Sequence, residues 1–150
     1  MKDELAAILN DSRASYDYIL IDCPPSIGLL TVNALTAASE VLVPIQCEYL
    51  ALEGLGQLLS NVERVKTHLN KELHISTIAL VMFDARTKLA GQVVEEIRSH
   101  FGERVCQQTV PRSVRLSEAP SYGQPIIYYD SSSRGAIAYR SLAKEITGGA

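Results

Sequence analysis

The chain has 150 residues, 47% of them hydrophobic and 21% charged, with a formal net charge of −3. That length suffices for one domain, residues 1–150, with a real core, and the composition excludes a disordered or fibrous chain. The acid excess excludes a global basic field for nucleic acid, so any such contact has to come from a local patch.

Leu5, Ile8 and Leu9 recur at helical spacing and predict a short amphipathic helix over residues 3–12. Tyr18-Ile19-Leu20-Ile21-Asp22 then reads as a strand buried on both faces of a parallel sheet, ended by the Pro24-Pro25 corner. A helix follows from Gly28 to Ala38, carrying Leu29, Leu30, Val32 and Leu35 towards the sheet. Val41 to Ile45 is the second strand, with Pro44 near its end. Leu55, Leu58, Leu59, Val62 and Val65 mark an amphipathic helix over 52–69. Ile75 to Phe83 is a third strand, Leu89 to Phe101 a helix through Val93, Val94 and Ile97, and Val105 to Val110 a fourth strand. Pro111 to Tyr129 is loop-rich with a helical turn near Val114–Ala119, and Ser133 to Ile146 closes as a helix. Strands alternating with helices give an α/β fold, a doubly wound and mostly parallel sheet with flanking helices.

Cys23, Cys47 and Cys106 offer neither C-x-x-C nor a Cys/His ligand spacing. They argue against zinc and a disulfide framework, and fit a reducing cytoplasm. Met1 to Glu4 lack the apolar core of a signal peptide, and no run approaches the ~18 apolar residues of a membrane span. An acid at the carboxyl end of a buried strand, as Asp22 is, stands where open α/β sheets place ligands and where a Walker B acid meets Mg²⁺. Neither G-x-x-x-x-G-K-[ST] nor G-x-G-x-x-G occurs, so within these residues that acid has no phosphate cradle to work with.

Several stretches together carry a resemblance. They are Tyr16-Asp17-Tyr18-Ile19-Leu20-Ile21-Asp22-Cys23-Pro24-Pro25-Ser26, Thr31-Val32-Asn33-Ala34-Leu35, Val43-Pro44-Ile45-Gln46 and Leu52-Glu53-Gly54-Leu55. Phe83-Asp84-Ala85-Arg86-Thr87 and the long Pro111-Arg112-Ser113-Val114-Arg115-Leu116-Ser117-Glu118-Ala119-Pro120-Ser121-Tyr122-Gly123 complete the set. On these the chain resembles the ParA/Soj family of chromosome- and plasmid-partitioning ATPases, P-loop proteins with a deviant Walker A motif, from about Tyr16 to Ile146. The related MinD ATPases end in a membrane-binding amphipathic helix; the end here, Lys144 to Ala150, favours the partitioning branch and no membrane contact. The chain looks like the C-terminal part of such an ATPase, without its first strand, P-loop and first helix. On that reading it binds no nucleotide and hydrolyses none alone.

The resemblance implies ATP and Mg²⁺ as cofactors of the full-length family. It also implies an ATP-driven homodimer on non-specific DNA, a ParB-type centromere-binding protein that stimulates hydrolysis, and a place in the cytoplasm on the nucleoid. By the same resemblance Asp22 is the catalytic Mg²⁺-ordering acid, and Pro24, Pro25 and Ser26 form the turn that senses the γ-phosphate. Pro111, Arg112 and Ser113 would be the adenine-side loop, although relatives often carry Asn at the position of Ser113. Asp84 would line the pocket, and Arg86 and Arg115 would touch DNA. Each residue also has a plainer reading: turn-capping for Asp22 and Asp84, a structural loop for 111–113, a solvated guanidinium for either arginine. A non-catalytic DNA- or partner-binding α/β module, or a remnant without activity of its own, stay open as alternatives. Loss of the neighbouring P-loop strand would bare one flank of Tyr18–Asp22 and predicts self-association.

Overall fold

The computed structural model describes residues 5, 7–9, 15–24 and 28–148. The described elements alternate as expected. They run α1 (Leu29–Ala37), β1 (Glu40–Gln46), α2 (Tyr49–His68), β2 (His74–Phe83), α3 (Lys88–Phe101), β3 (Val105–Pro111), α4 (Val114–Glu118), α5 (Ile126–Tyr129) and α6 (Arg134–Ile146). Single 3₁₀ turns at Gly102–Arg104 and Ala119–Tyr122 join α3 to β3 and α4 to α5. The three strands form one sheet in the order β1-β2-β3, with β2 and β3 parallel. Two compact units divide the chain: Met1–Val41 with Gly56–Ser76, and Leu42–Leu55 with Thr77–Ala150.

In the first unit α1 buries Thr31, Ala34 and Leu35, whereas Leu29 and Leu30 stand exposed. The buried stripe thus begins at Thr31 and leaves the leucine pair out. The Asn70 side-chain amide donates to the Leu35 and Ala38 carbonyls at 3.1 and 2.7 Å. Those carbonyls are acceptors that a helix C-terminus leaves without intrahelical partners. Tyr18–Asp22 departs from expectation: it belongs to no strand, and its residues are exposed, Leu20 by 87%. Apolar, β-branched sequence favours a strand only when a neighbour takes up its N–H and C=O groups, and none of the three described strands pairs with it.

In the second unit the sheet and α6 enclose a core of Ala79, Cys106, Val110 and Leu142, with Val81, Leu116 and Ile146 against it. Ile78 and Leu80 are wholly buried, and by the alternation of strand side chains they face away from Ala79. α3 buries Ala90, Val93, Val94 and Ile97, the periodicity read from sequence. A smaller cluster of Ala119, Ile126 and Ala136, lined by Leu116 and Tyr129, holds the α4–α5 segment on α6. α5 forms within a stretch expected to be loop, because burial of Ile126 in that cluster fixes a turn that four residues could not sustain alone.

Both sheet edges are blunted. The Cys47 amide donates to the Val81 carbonyl at 3.0 Å, so residue 47 points its N–H at β2. Pro44, three residues back, therefore has its missing donor on the open edge of β1. On β3 the Glu145 carboxylate accepts from the Gln107 and Gln108 amides at 2.5 and 3.0 Å, occupying donors a further strand would use.

Candidate functional site

The carboxyl ends of the strands bring together the polar residues of the second unit. Phe83 pairs in register with Pro111, and the Arg112 amide donates to the Phe83 carbonyl at 2.9 Å, so the ends of β2 and β3 lie side by side. Glu48 follows β1, Asp84 follows β2 and Arg112 follows β3. The Arg112 Nη2 donates to Glu48 Oε1 at 2.6 Å, tying the end of β1 to that of β3. This is the edge where open α/β sheets take their ligands.

Just before Asp84 the backbone is strained. Met82 has φ +56°, the one non-glycine residue in the left-handed region among the described residues, and the β2–β3 register shifts between Leu80 and Phe83. A bulge of this kind re-aims the residues after it, here Asp84. Asp84 then organises its own loop. Its Oδ1 accepts from the Arg86 amide at 3.1 Å, and its carbonyl accepts from the Thr87 amide and hydroxyl, each at 3.1 Å. Thr87 in turn accepts from the Ala90 amide and caps α3.

The same carboxylate receives the Arg86 side chain: Nε donates to Oδ1 at 2.9 Å and Nη2 to Oδ2 at 2.7 Å. These bonds, with a smaller pull from Arg112, hold the Asp84 carboxyl far below the usual carboxylate range. Asp84 and Arg86, one expected at the nucleotide and the other at DNA, are partners in this structure.

Arg115 is engaged as well. Its Nη1 donates to Glu118 Oε2 at 3.1 Å and its Nε lies 3.5 Å from Asp130 Oδ2. The Tyr129 hydroxyl donates to the same Glu118 oxygen at 3.3 Å, and the Tyr129 ring stacks on Tyr122 with centroids 5.1 Å apart. Sequence reasoning missed Glu48, Glu118 and Asp130. Glu48 had a signal, an acid just past a strand end like Asp84; the pairing of Arg115 with Asp130 is fifteen residues apart in sequence and has none.

Pro111 and Ser113 are half-buried around Arg112, and Ser113 is the extended residue before α4. Asp22 and Pro24, in the first unit, are exposed and outside any strand, and Pro25 and Ser26 lie outside the described residues. Cys47 and Cys106 are buried, and burial pushes the Cys47 thiol up to about 11. Cys23 is exposed.

These residues do not by themselves fit a nucleotide phosphate or its metal. Gly102, Gly123 and Gly148, the glycines with positive φ, close helices instead of opening a strand-to-helix loop. Among the described residues no group of three or more His, Cys, Asp and Glu comes together as a metal site. Here the strand ends and the segment after β3 carry three arginines, Arg86, Arg112 and Arg115, each paired with carboxylates.

A family model described as an AAA domain, AAA_31, matches residues 1–75. The chain belongs to that family. It is homologous to the Soj and ParA chromosome-partitioning proteins. It is 56% identical over 142 residues to the sporulation initiation inhibitor protein Soj of Bacillus subtilis, covering 95% of this chain and 56% of that protein. It is 56% identical over 138 residues to the chromosome partitioning protein ParA of Myxococcus xanthus, covering 92% of this chain and 49% of that one. The chain thus spans about half the length of the curated relatives it matches.

Among solved structures, cobyrinic acid a,c-diamide synthase of Mycobacterium smegmatis matches with a TM-score of 0.74 at 33% identity, over 95% of this chain and 51% of that one. The same synthase is known with a bound ATP analogue and magnesium. The cell division ATPase MinD of Pyrococcus furiosus, at 22% identity and a TM-score of 0.76, covers 99% of this chain and 59% of its own, and shows the shared fold. Among the described residues no helix is long and apolar enough to cross a membrane.

Proposed function

We propose that this chain serves in DNA segregation as part of a Soj/ParA-type partitioning ATPase. The observation that carries this reading is likeness at more than half of the aligned positions along nearly the whole chain to proteins named for chromosome partitioning. The Asp84–Arg86 loop and the Arg112–Arg115 segment, both at the carboxyl ends of the sheet, are its working surface. Arg86 and Arg115 contact DNA phosphates, and Pro111, Arg112, Ser113 and Asp84 border the nucleotide. ATP and Mg²⁺ bind only where a phosphate loop, which these 150 residues do not contain, joins them, and Asp22, Pro24, Pro25 and Ser26 take their nucleotide roles in that company. The acting form is a homodimer on DNA in the cytoplasm, and a ParB-type protein stimulates its hydrolysis.

Two titrations of the chain test the reading. Mg-ATP added to the chain shows no saturable binding; micromolar Mg²⁺-dependent affinity that Asp22→Ala removes would overturn the assignment of the nucleotide site. Duplex DNA of arbitrary sequence binds weakly and with strong salt dependence, and Arg86→Ala or Arg115→Ala each lowers the slope against log salt by about one. Unchanged slopes in both variants would remove the DNA contacts from the proposal.

A further inference from the structure

The four side chains around Arg115 carry an inference that rests on the reading of Arg115 as a phosphate contact and goes one step beyond it. A guanidinium grips a phosphate through one of two donor forks, side-on by Nε with Nη2 or end-on by Nη1 with Nη2. Asp84 fills only the side-on fork of Arg86, whose side chain is 86% exposed, so its end-on fork stays open to a phosphate. Arg115 is held differently. Asp130 Oδ2 lies 3.5 Å from its Nε and Glu118 Oε2 accepts from its Nη1, so two carboxylates flank this guanidinium. A phosphate that approaches Arg115 therefore meets two carboxylates already beside it.

Both residues are bonded to the segments around them. Glu118 accepts from the Tyr129 hydroxyl, and Tyr129 is stacked on Tyr122. The Asp130 amide is bonded to the Ile126 carbonyl at 2.9 Å, and the Asp130 carbonyl accepts from the Ser133 hydroxyl at 2.7 Å. Glu118 is thus tied to α5 through its carboxylate, and Asp130 is placed by the backbone bonds on either side of it.

We propose that Glu118 and Asp130 act as built-in competitors of the DNA backbone for Arg115, keeping that contact weak and readily reversed. A phosphate at this arginine contends with two carboxylates, whereas at Arg86 it meets one, held on the side-on fork.

The test is a double-mutant cycle on the whole chain, read by fluorescence anisotropy with a labelled duplex at low salt. Glu118→Gln with Asp130→Asn keeps shape and removes both charges. The expected result is binding tighter by about two- to fivefold, the scale of exposed ion pairs, with a salt slope steeper by about one contact. That gain disappears when Arg115→Ala is added. A gain that survives in the Arg115→Ala background reflects net charge alone and overturns the proposal, as does no gain at all.

Arg115→Ala by itself separates the two readings. If it binds as tightly as the parent, or if the parent binds no DNA, the phosphate contact fails and the proposal falls with it. If Arg115→Ala weakens binding while the charge-removed variant matches the parent, only the competition is refuted. Far-UV circular dichroism verifies the fold, and Asp130→Asn alone carries the same test with a smaller gain should the double variant unfold.

Discussion

Asp84 shows how much one carboxylate can settle. It ends β2, turns the chain, positions Thr87 to cap α3 and pairs with Arg86. Its folded-state pKa is depressed, so the stability it contributes is complete above its unfolded value of about 4 and is lost as pH falls below that. Acid unfolding followed by circular dichroism should therefore show a shallower loss of stability below pH 4 in Asp84→Asn than in the parent. Parallel acid limbs would mean that the Arg86 pair contributes nothing in solution. The residue types at this edge were legible in sequence, since an acid after a strand and an arginine two residues on stand out. Their mutual pairing was not, because sequence places Asp84 at the nucleotide and Arg86 at DNA without saying that each is the other's nearest partner.

At the scale of elements, α6 ties the second unit together. Ser133 caps it by accepting from the Ala136 amide at 3.2 Å, and Gly135, Ala136, Ala138 and Leu142 form its buried face. Gly135 is there for space: a Cβ on it would come within 2.7 Å of Leu116 Cγ. Gly135→Ala gains roughly 0.5–1 kcal/mol of helix propensity but incurs an overpacking penalty of about 1–3 kcal/mol. We expect a net loss of about 1 kcal/mol in urea unfolding, recovered in part when Leu116→Ala is added. A stabilised Gly135→Ala protein would show that Leu116 yields without penalty. Periodicity found α1, α2, α3 and α6 within a few residues, because each carries its buried face at helical spacing. It could not find α5, four residues whose helix exists only because Ile126 is buried against α6.

For the whole molecule, the apolar surface decides behaviour in solution. Leu20, Leu29 and Leu30 in the first unit and Tyr49 and Leu50 in the second are each 70% exposed or more. Scattered apolar residues on a surface are ordinary, but Leu20 lies in a five-residue apolar run that none of the described strands pairs with. The chain is expected to self-associate, seen as light scattering that rises with concentration, and Leu20→Lys should reduce it. A concentration-independent monomer would refute this. From residue 28 on, the order of the longer helices and the strands and the parallel sheet were legible in sequence, because the periodicity of burial is local and repeats along each element. Whether Tyr18–Asp22 joins a sheet, and which carboxylate holds which arginine, only the tertiary structure decided. A strand is completed by its neighbour's hydrogen bonds and an ion pair by its partner's position, and neither is a property of the segment itself.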